Sequence, residues 1–296
     1  MCGIAGAVSL ARKPVPKLDR ALAAMNQLIA HRGPDGHGFW RAPSDVCGLA
    51  HRRLAIIDLS PAGHQPMVGN SGTVISFNGE IYNYVELMAE LKAGWSFRSS
   101  SDTETVLAAY AKWGVDCLRH LRGMFAFALW DGDRFFAARD RFGIKPFYYA
   151  VVDGVLYFAS EMKALLPVLP EIATDADALA EYMTFQYTIG ENTLFKHVQT
   201  LLPGHALTVE NGEVKVFRYW DVHYDIDFDH TPRWFGEEMR GRLTDSINVH
   251  LRSDVPVGAY ISGGIDSSLI GILAGREEAS GRIGFHGKFT EFEGYD

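Results

Sequence analysis

The chain has 296 residues, 47% of them hydrophobic, and a formal charge of −8 at pH 7. That is enough apolar material for one large domain or two average ones. Acidic and basic residues are interspersed, so there is no basic stripe of the kind that binds nucleic acid or an anionic membrane.

Three cysteines, Cys2, Cys47 and Cys117, are too few for a disulfide framework and wrongly spaced for zinc. The start lacks a basic-then-apolar leader, and no apolar run approaches 18 residues. These features point to a soluble cytoplasmic protein. The opening Met1-Cys2-Gly3-Ile4-Ala5-Gly6 places a thiol at the terminus. If Met1 is removed, Cys2 carries both a thiol and a free α-amine, titrating near ~8.5 and ~8. The amine can then take the thiol's proton and leave a nucleophile. The other reading is an idle thiol on a frayed end. The apolar run 4–10 favours anchorage in a sheet.

Residues 18–29 (LDRALAAMNQLI) show helical spacing and lead into the Gly- and Pro-shaped loop HRGPDGHG at 31–38. His31 and His37 read as loop residues, since no ligand set surrounds them. Residues 47–58 (CGLAHRRLAIID) read as a strand interrupted by Arg52 and Arg53. Such an arginine can face solvent or receive a carboxylate with its planar fork, and the residues alone leave both open. Residues 73–77 (TVISF) predict a strand running into Asn78-Gly79. Between apolar runs that dipeptide is first of all a hairpin signal. Its second use is to aim an Asn NH2 and a Gly N–H at one oxyanion. A helix follows over 85–92. Ser99-Ser100-Ser101-Asp102-Thr103-Glu104 begins another, with Ser101 or Asp102 as N-cap.

Strands at 123–130 and 134–138 flank Asp131-Gly132, and strands at 147–151 and 155–159 flank Asp153-Gly154. Helices are predicted at 161–166 and 176–184, and a hairpin over 201–216 turning at Asn211-Gly212. The pattern predicts stacked antiparallel sheets covered by helices. A polar, acidic stretch at 221–232 (DVHYDIDFDHTP) marks a linker. Residues 234–252 predict a long helix, and 255–261 (VPVGAYI) a buried parallel strand. Ser262-Gly263-Gly264-Ile265-Asp266-Ser267-Ser268 then leads into a helix over 269–274. A strand, a Gly-rich loop and a helix start make an anion cradle. It is not a Walker A loop, since no Gly-Lys-Ser/Thr is present. Asp266 would repel phosphates unless Mg2+ lay between them.

Together MCGIAG, HRGPDG, HRRLAIIDLSPAGHQPM, FNGEIYNY, SDTE, RDRFGIKPFYY, FASEMKALL, LLPGH and SDVPVGAYISGGIDSS resemble the glutamine-dependent asparagine synthetases, in order over nearly the whole chain. The resemblance implies an α+β fold: an N-terminal-nucleophile αββα sandwich over 2–220, a class II glutamine amidotransferase domain. An incomplete α/β ATP-pyrophosphatase domain would occupy 221–296. By the same resemblance Cys2 is the nucleophile, and Asn78 and Gly79 form the oxyanion hole. Arg53, with the backbone of Leu54, Ala55, Ile56 and Ile57, receives the glutamine α-carboxylate. Glu80 and Asp102 bind its amino end. ATP would lie on Ile261, Ser262, Gly263, Gly264, Asp266, Ser267, Ser268 and Gly287, with Mg2+ on Asp266 and no bound organic cofactor.

Partners would be glutamine, aspartate and ATP, with no nucleic acid or membrane, and homodimers are implied. About 60 residues follow the start of the linker helix, too few for a whole doubly wound sheet, so the expected activity of this chain is glutamine hydrolysis without asparagine formation. The alternatives are amidation of another carboxylate, in a cell-wall or secondary metabolite, and a non-catalytic remnant that binds glutamine or nucleotide.

Overall fold

The structure is a computed structural model that describes residues 1–276 and 283–287. The chain forms two compact units, Met1–Val222 and His223–Asp296.

In the first unit β1 (Gly3–Ser9) is followed by α1 (Leu18–Leu28), β2 (Gly36–Arg41), β3 (Cys47–Arg53), β4 (Met67–Val68) and β5 (Val74–Ile81). Helices α2 (Tyr84–Leu91) and α3 (Asp102–Trp113) come next, then β6 (Gly123–Trp130), β7 (Phe135–Arg139), β8 (Tyr148–Val152) and β9 (Val155–Ala159). Helix α4 (Ala176–Phe185), β10 (Gln199–Thr200), β11 (His205–Glu210) and β12 (Glu213–Arg218) complete it. Two six-stranded sheets result, ordered β10-β8-β9-β1-β3-β2 and β12-β11-β7-β6-β5-β4.

Both central strands are apolar on both faces because both faces are covered. In β1, Ile4 and Val8 enter the core between the sheets, while Ala5 and Ala7 pack against α1. In β6, Ala126, Ala128 and Trp130 face between the sheets, while Phe125, Phe127 and Leu129 pack with α2 and α3. This is the αββα layering expected from the sequence. Phe135 and Phe158 tie the two sheets together at 5.3 Å between rings, and both are fully buried. Each such side chain contributes roughly 1.5–3 kcal/mol of burial.

The strand period of two decides which side chains meet at one end of the sandwich. In β3, Cys47 and Leu49 face the inter-sheet core, which puts Arg53 on that side. In β5, Val74 faces it, which carries Asn78 and Glu80 there, while Ile75, Phe77 and Ile81 face the helices. Cys2 precedes Ile4 by two residues and shares its side.

Several expectations are corrected. Asn78-Gly79 does not turn: β5 runs through both residues and pairs with β6, Asn78 opposite Ala126 and Gly79 opposite Phe125. A Cβ on Gly79 would lie 2.4 Å from the Met124 carbonyl, so the glycine serves close backbone approach instead of a positive φ. The strand expected over 47–58 ends at Arg53. The helix expected over 161–166 is two 3-10 turns, Met162–Ala164 and Leu166–Val168, the second with Pro167 in its first turn. The other turns are as predicted. Asn211 and Gly212, for example, have φ of 51° and 85°, as a primed hairpin turn requires.

The second unit contains α5 (Pro232–His250), β13 (Ala259–Tyr260), α6 (Ile265–Gly275) and β14 (Gly284–Phe285). The parallel strand is found, paired with β14, but is two residues long. It is not buried: Tyr260 is 86% exposed.

Candidate active site

The thiol is placed by the elements that grip β1. Ile4 N–H donates to Ser160 Oγ at 3.0 Å, and Ser160 N–H donates to the Ile4 carbonyl at 2.9 Å. Arg32 Nε donates to the Cys2 carbonyl at 2.8 Å, and Arg32 Nη1 meets Glu161 at 3.0 Å. The terminus is therefore fixed at a backbone position and is not frayed. Cys2 Sγ accepts from Leu54 N–H at 3.3 Å. Cys47 and Cys117 are fully buried, and burial pushes both thiols up, Cys117 to about 12. Cys2 is half-buried.

A cavity of about 60 Å³ is lined by Met1, Cys2, Arg53, Leu54, Ile56, Ile57, Asn78, Gly79, Glu80, Asp102 and Lys145, among others. That volume corresponds to a couple of waters. Met1 forms part of its wall, so loss of Met1 would widen it.

Arg53 donates to the carbonyls of Ser60 (3.2 Å) and Asp58, which orient its guanidinium. Gly63 makes room for it, because a Cβ there would lie 2.1 Å from Arg53 Nη2. Asn78 is 1% exposed, and its Nδ2 is a buried donor without a partner. Such a group costs free energy unless something binds it, and its place on this cavity makes it the notable exception. Asp102 opens α3, whose N-cap is Ser101, accepting from Thr103 N–H at 3.2 Å. Asp102 Oδ2 accepts from Ile81 N–H at 2.9 Å.

The electrostatics follow from burial. Burial and the Asp102 charge push Glu80 up to about 8, partly offset by Lys145. Burial likewise pushes Asp102 up to about 6, opposed by the Ile81 and Thr103 amides. Two carboxyls sharing a dry pocket cannot both ionise cheaply. Burial also raises the Cys2 thiol, opposed by the Leu54 N–H and the terminal amine. It lowers the Met1 amine, and Arg32 and Lys145 push the same way.

Of the expected glutamine residues, Ala55 does not line the cavity. Its N–H is taken by Asp35 Oδ2 at 2.9 Å. Sequence reasoning assigned no role to Arg32, Glu161 or Lys145. The only signal was their position inside the HRGPDG, FASEMKALL and RDRFGIKPFYY segments.

In the second unit residues 261–268 run from β13 into the first turn of α6. Gly263 has a φ of 86°. Ser262 N–H donates to Ser267 Oγ at 3.2 Å, and the two hydroxyls lie 3.0 Å apart. The first helical bond runs from Ser268 N–H to the Gly264 carbonyl, so the amides of Ile265, Asp266 and Ser267 precede it. Ile261 N–H donates to the Phe285 carbonyl, and Ile261 O is 2.8 Å from His286 Nδ1. Gly287 is exposed just beyond β14. Among the described residues there is no group of three metal-ligating side chains, so Asp266 offers one carboxylate and not a cage. No helix of the described residues is long and apolar enough to cross a membrane.

Residues 1–220 match the glutamine amidotransferase domain family. The chain belongs to that family. Its remaining part, 238–296, matches the asparagine synthase family. The amidotransferase is 41% identical to asparagine synthetase [glutamine-hydrolyzing] 1 of Bacillus subtilis, over 91% of this chain and 43% of that protein. It is 38% identical to amidase chry2 of Gibberella zeae, over 91% of this chain and 42% of that one. The amidotransferase thus spans about half the length of the curated relatives it matches. A solved glutamine phosphoribosylpyrophosphate amidotransferase of B. subtilis shares its fold, with a TM-score of 0.55 at 18% identity, over 74% of this chain and 49% of that one.

Proposed function

We propose that residues 2–220 form a glutaminase with Cys2 as nucleophile, and that residues 221–296 begin an ATP-dependent synthetase domain. One observation carries the reading: the thiol of Cys2 and the unpaired Nδ2 of Asn78 line one cavity with a cation, Arg53, and two carboxyls, Glu80 and Asp102. A zwitterionic amino acid with a side-chain amide needs that set. Arg53 takes the α-carboxylate. Asp102, with Glu80, takes the α-ammonium.

Met1 is removed, and the freed amine of Cys2 accepts the thiol proton. The thiolate adds to the amide carbon, and the oxygen becomes an oxyanion held by Asn78 Nδ2 and Gly79 N–H. The amine returns the proton to the departing nitrogen, which leaves as ammonia, and a thioester remains. Water, deprotonated by the amine, cleaves it to glutamate and restores the thiol.

In the relatives' full length this ammonia would amidate an ATP-activated aspartate. Ser262, Gly263, Gly264, Ser267 and Ser268 would hold the pyrophosphate, with Ile261 and Gly287 flanking the nucleotide. Asp266 fits a Mg2+ carried in by the nucleotide, which would screen the phosphate charge. By itself the chain would act as a glutaminase, and the family resemblance implies a cytoplasmic homodimer for the full-length relatives' arrangement. A second reading keeps the glutaminase and changes the acceptor. The chain is 38% identical both to amidase chry2 and to asparagine synthetase 3 of B. subtilis, so overall identity does not by itself single out aspartate as the acceptor.

The test is glutamate and ammonia release from glutamine by the wild type and by Cys2→Ala. The expected result is turnover by the first and none by the second. Equal rates would sink the reading.

A further inference from the structure

Lys145 carries its charge into the pocket without forming an ion pair there with any described residue. The residue is 5% exposed, and it lines the cavity with Cys2, Glu80 and Asp102. Its backbone is locked in the β7–β8 connection: Lys145 N–H donates to Asp140 Oδ2 at 2.9 Å, and Arg139 Nε donates to its carbonyl at 2.8 Å. Asp140 is not a partner for the side chain. Its two oxygens already accept from the amides of Phe125, Phe142, Ile144 and Lys145. Among the described residues the Lys145 ammonium has no hydrogen bond and no ion pair. At 5% residue exposure the lysine charge loses much of its hydration, which costs free energy when no partner replaces the water. A charge held at such a position acts on what it faces.

Resting on the glutaminase reading, we infer that Lys145 is a positioning residue for the nucleophile: its ammonium, fixed in the pocket by the β7–β8 loop, faces Cys2 and Glu80 and sets where the amine–thiol pair keeps its proton. The charged side chains around these groups are Arg32, Asp35 and Lys145 about the Met1 amine, one residue before the Cys2 nitrogen, and Glu80 and Asp102 about the thiol. The two carboxylates favour the protonated forms, and Arg32 and Lys145 oppose them. Arg32 is held by Glu161 and by the Cys2 carbonyl, with its Nη2 left over, whereas Lys145 lines the cavity with neither contact. It has a second consequence. Glu80 shares the pocket with Asp102, and Lys145 partly offsets the cost of ionising both carboxyls. The proton itself moves only between Sγ and the amine, so nothing is consumed.

The experiment compares wild type, Lys145→Met and Lys145→Arg in the 296-residue chain. The first readout is the pH profile of kcat/KM for glutamine. The second is the rate of Cys2 alkylation by iodoacetamide against pH, read on the N-terminal peptide, with the buried Cys47 and Cys117 as internal controls. Loss of a nearby unit charge moves such a titration by about one pH unit. The expected result is that Lys145→Met moves the acidic limb of both profiles upward by about that much, and that Lys145→Arg restores most of it. Superimposable alkylation profiles for the wild type and Lys145→Met would overturn the inference, as would an activity loss of equal factor at every pH. If Lys145→Met does not fold, an unshifted alkylation profile in Lys145→Gln overturns it equally. Alkylation does not require turnover, so a failure of the glutaminase reading would show separately, as wild-type chain that alkylates normally and leaves glutamine intact.

Discussion

Asn78→Ala separates function from stability more cleanly than any other change in the pocket. The Asn78 side chain lies in the interior at 1% exposure, and its Nδ2 has no acceptor. Deleting the amide therefore breaks no hydrogen bond of the folded chain. It removes a buried donor that costs roughly 1–3 kcal/mol while unsatisfied, and it leaves a gap of two or three heavy atoms that returns part of that gain. The net effect on folding is a change within about 1 kcal/mol of zero. For catalysis the amide meets its acceptor only when charge develops on the substrate oxygen. Loss of one oxyanion donor typically lowers kcat by about 10²–10³. The assay is glutamate release at saturating glutamine alongside thermal unfolding of the same preparation. The account predicts a kcat loss of two to three orders of magnitude with Tm unchanged or slightly raised. A variant within tenfold of wild-type kcat would refute the oxyanion role. A large fall in Tm would refute the claim that the amide is unpaired.

The Glu80–Asp102 pair makes the ligand-free chain pH-sensitive. Both carboxyls titrate above their ordinary values, to about 8 and about 6, so the folded state binds more protons than the unfolded state. Stability from this pair is full below about 4 and is lost as pH rises through 6 to 8. A substrate ammonium reverses the sign by favouring the carboxylates, so KM should fall over the same window. Asp102→Asn should flatten both trends, and an unchanged slope of Tm against pH in that variant would contradict the reasoning. Gly63→Ala should displace Arg53, because the new Cβ falls 2.1 Å from Nη2 and 2.7 Å from the Asp58 carbonyl. A charge-assisted contact is worth about 1.5–3 kcal/mol, so KM should rise about 10- to 100-fold with kcat little changed. An unaltered KM would show that Arg53 does not hold the substrate.

What was legible in the sequence is what local chemistry determines. Asp131-Gly132, Asp153-Gly154 and Asn211-Gly212 each join paired strands, and Ser101 caps α3 as its residue type suggests. Asn78-Gly79 has the same local signature yet stays extended. Its glycine answers to Met124 on the neighbouring strand, a contact that no short window contains. Leu54 and Ala55 are adjacent apolar residues, and only the fold shows that the first meets the thiol while the second meets Asp35. Arg32 and Lys145 reach Cys2 and its cavity, and Glu161 reaches Arg32, from distant points of the chain. Each has a complete surface explanation in sequence, and only the fold brings them together. The expected burial around Tyr260 failed for a related reason. An apolar strand is buried only by what packs on it, and β13 pairs with the two residues of β14.

The central claim is that Cys2 acts as the first residue of the working protein. The most direct measurement is the intact mass of a preparation that hydrolyses glutamine, taken with and without alkylation of the accessible thiol. The account predicts a mass lacking Met1, one rapidly added alkyl group on the N-terminal peptide, and loss of turnover in step with that addition. Full turnover by chains that still carry Met1, or by chains already alkylated at Cys2, would contradict it.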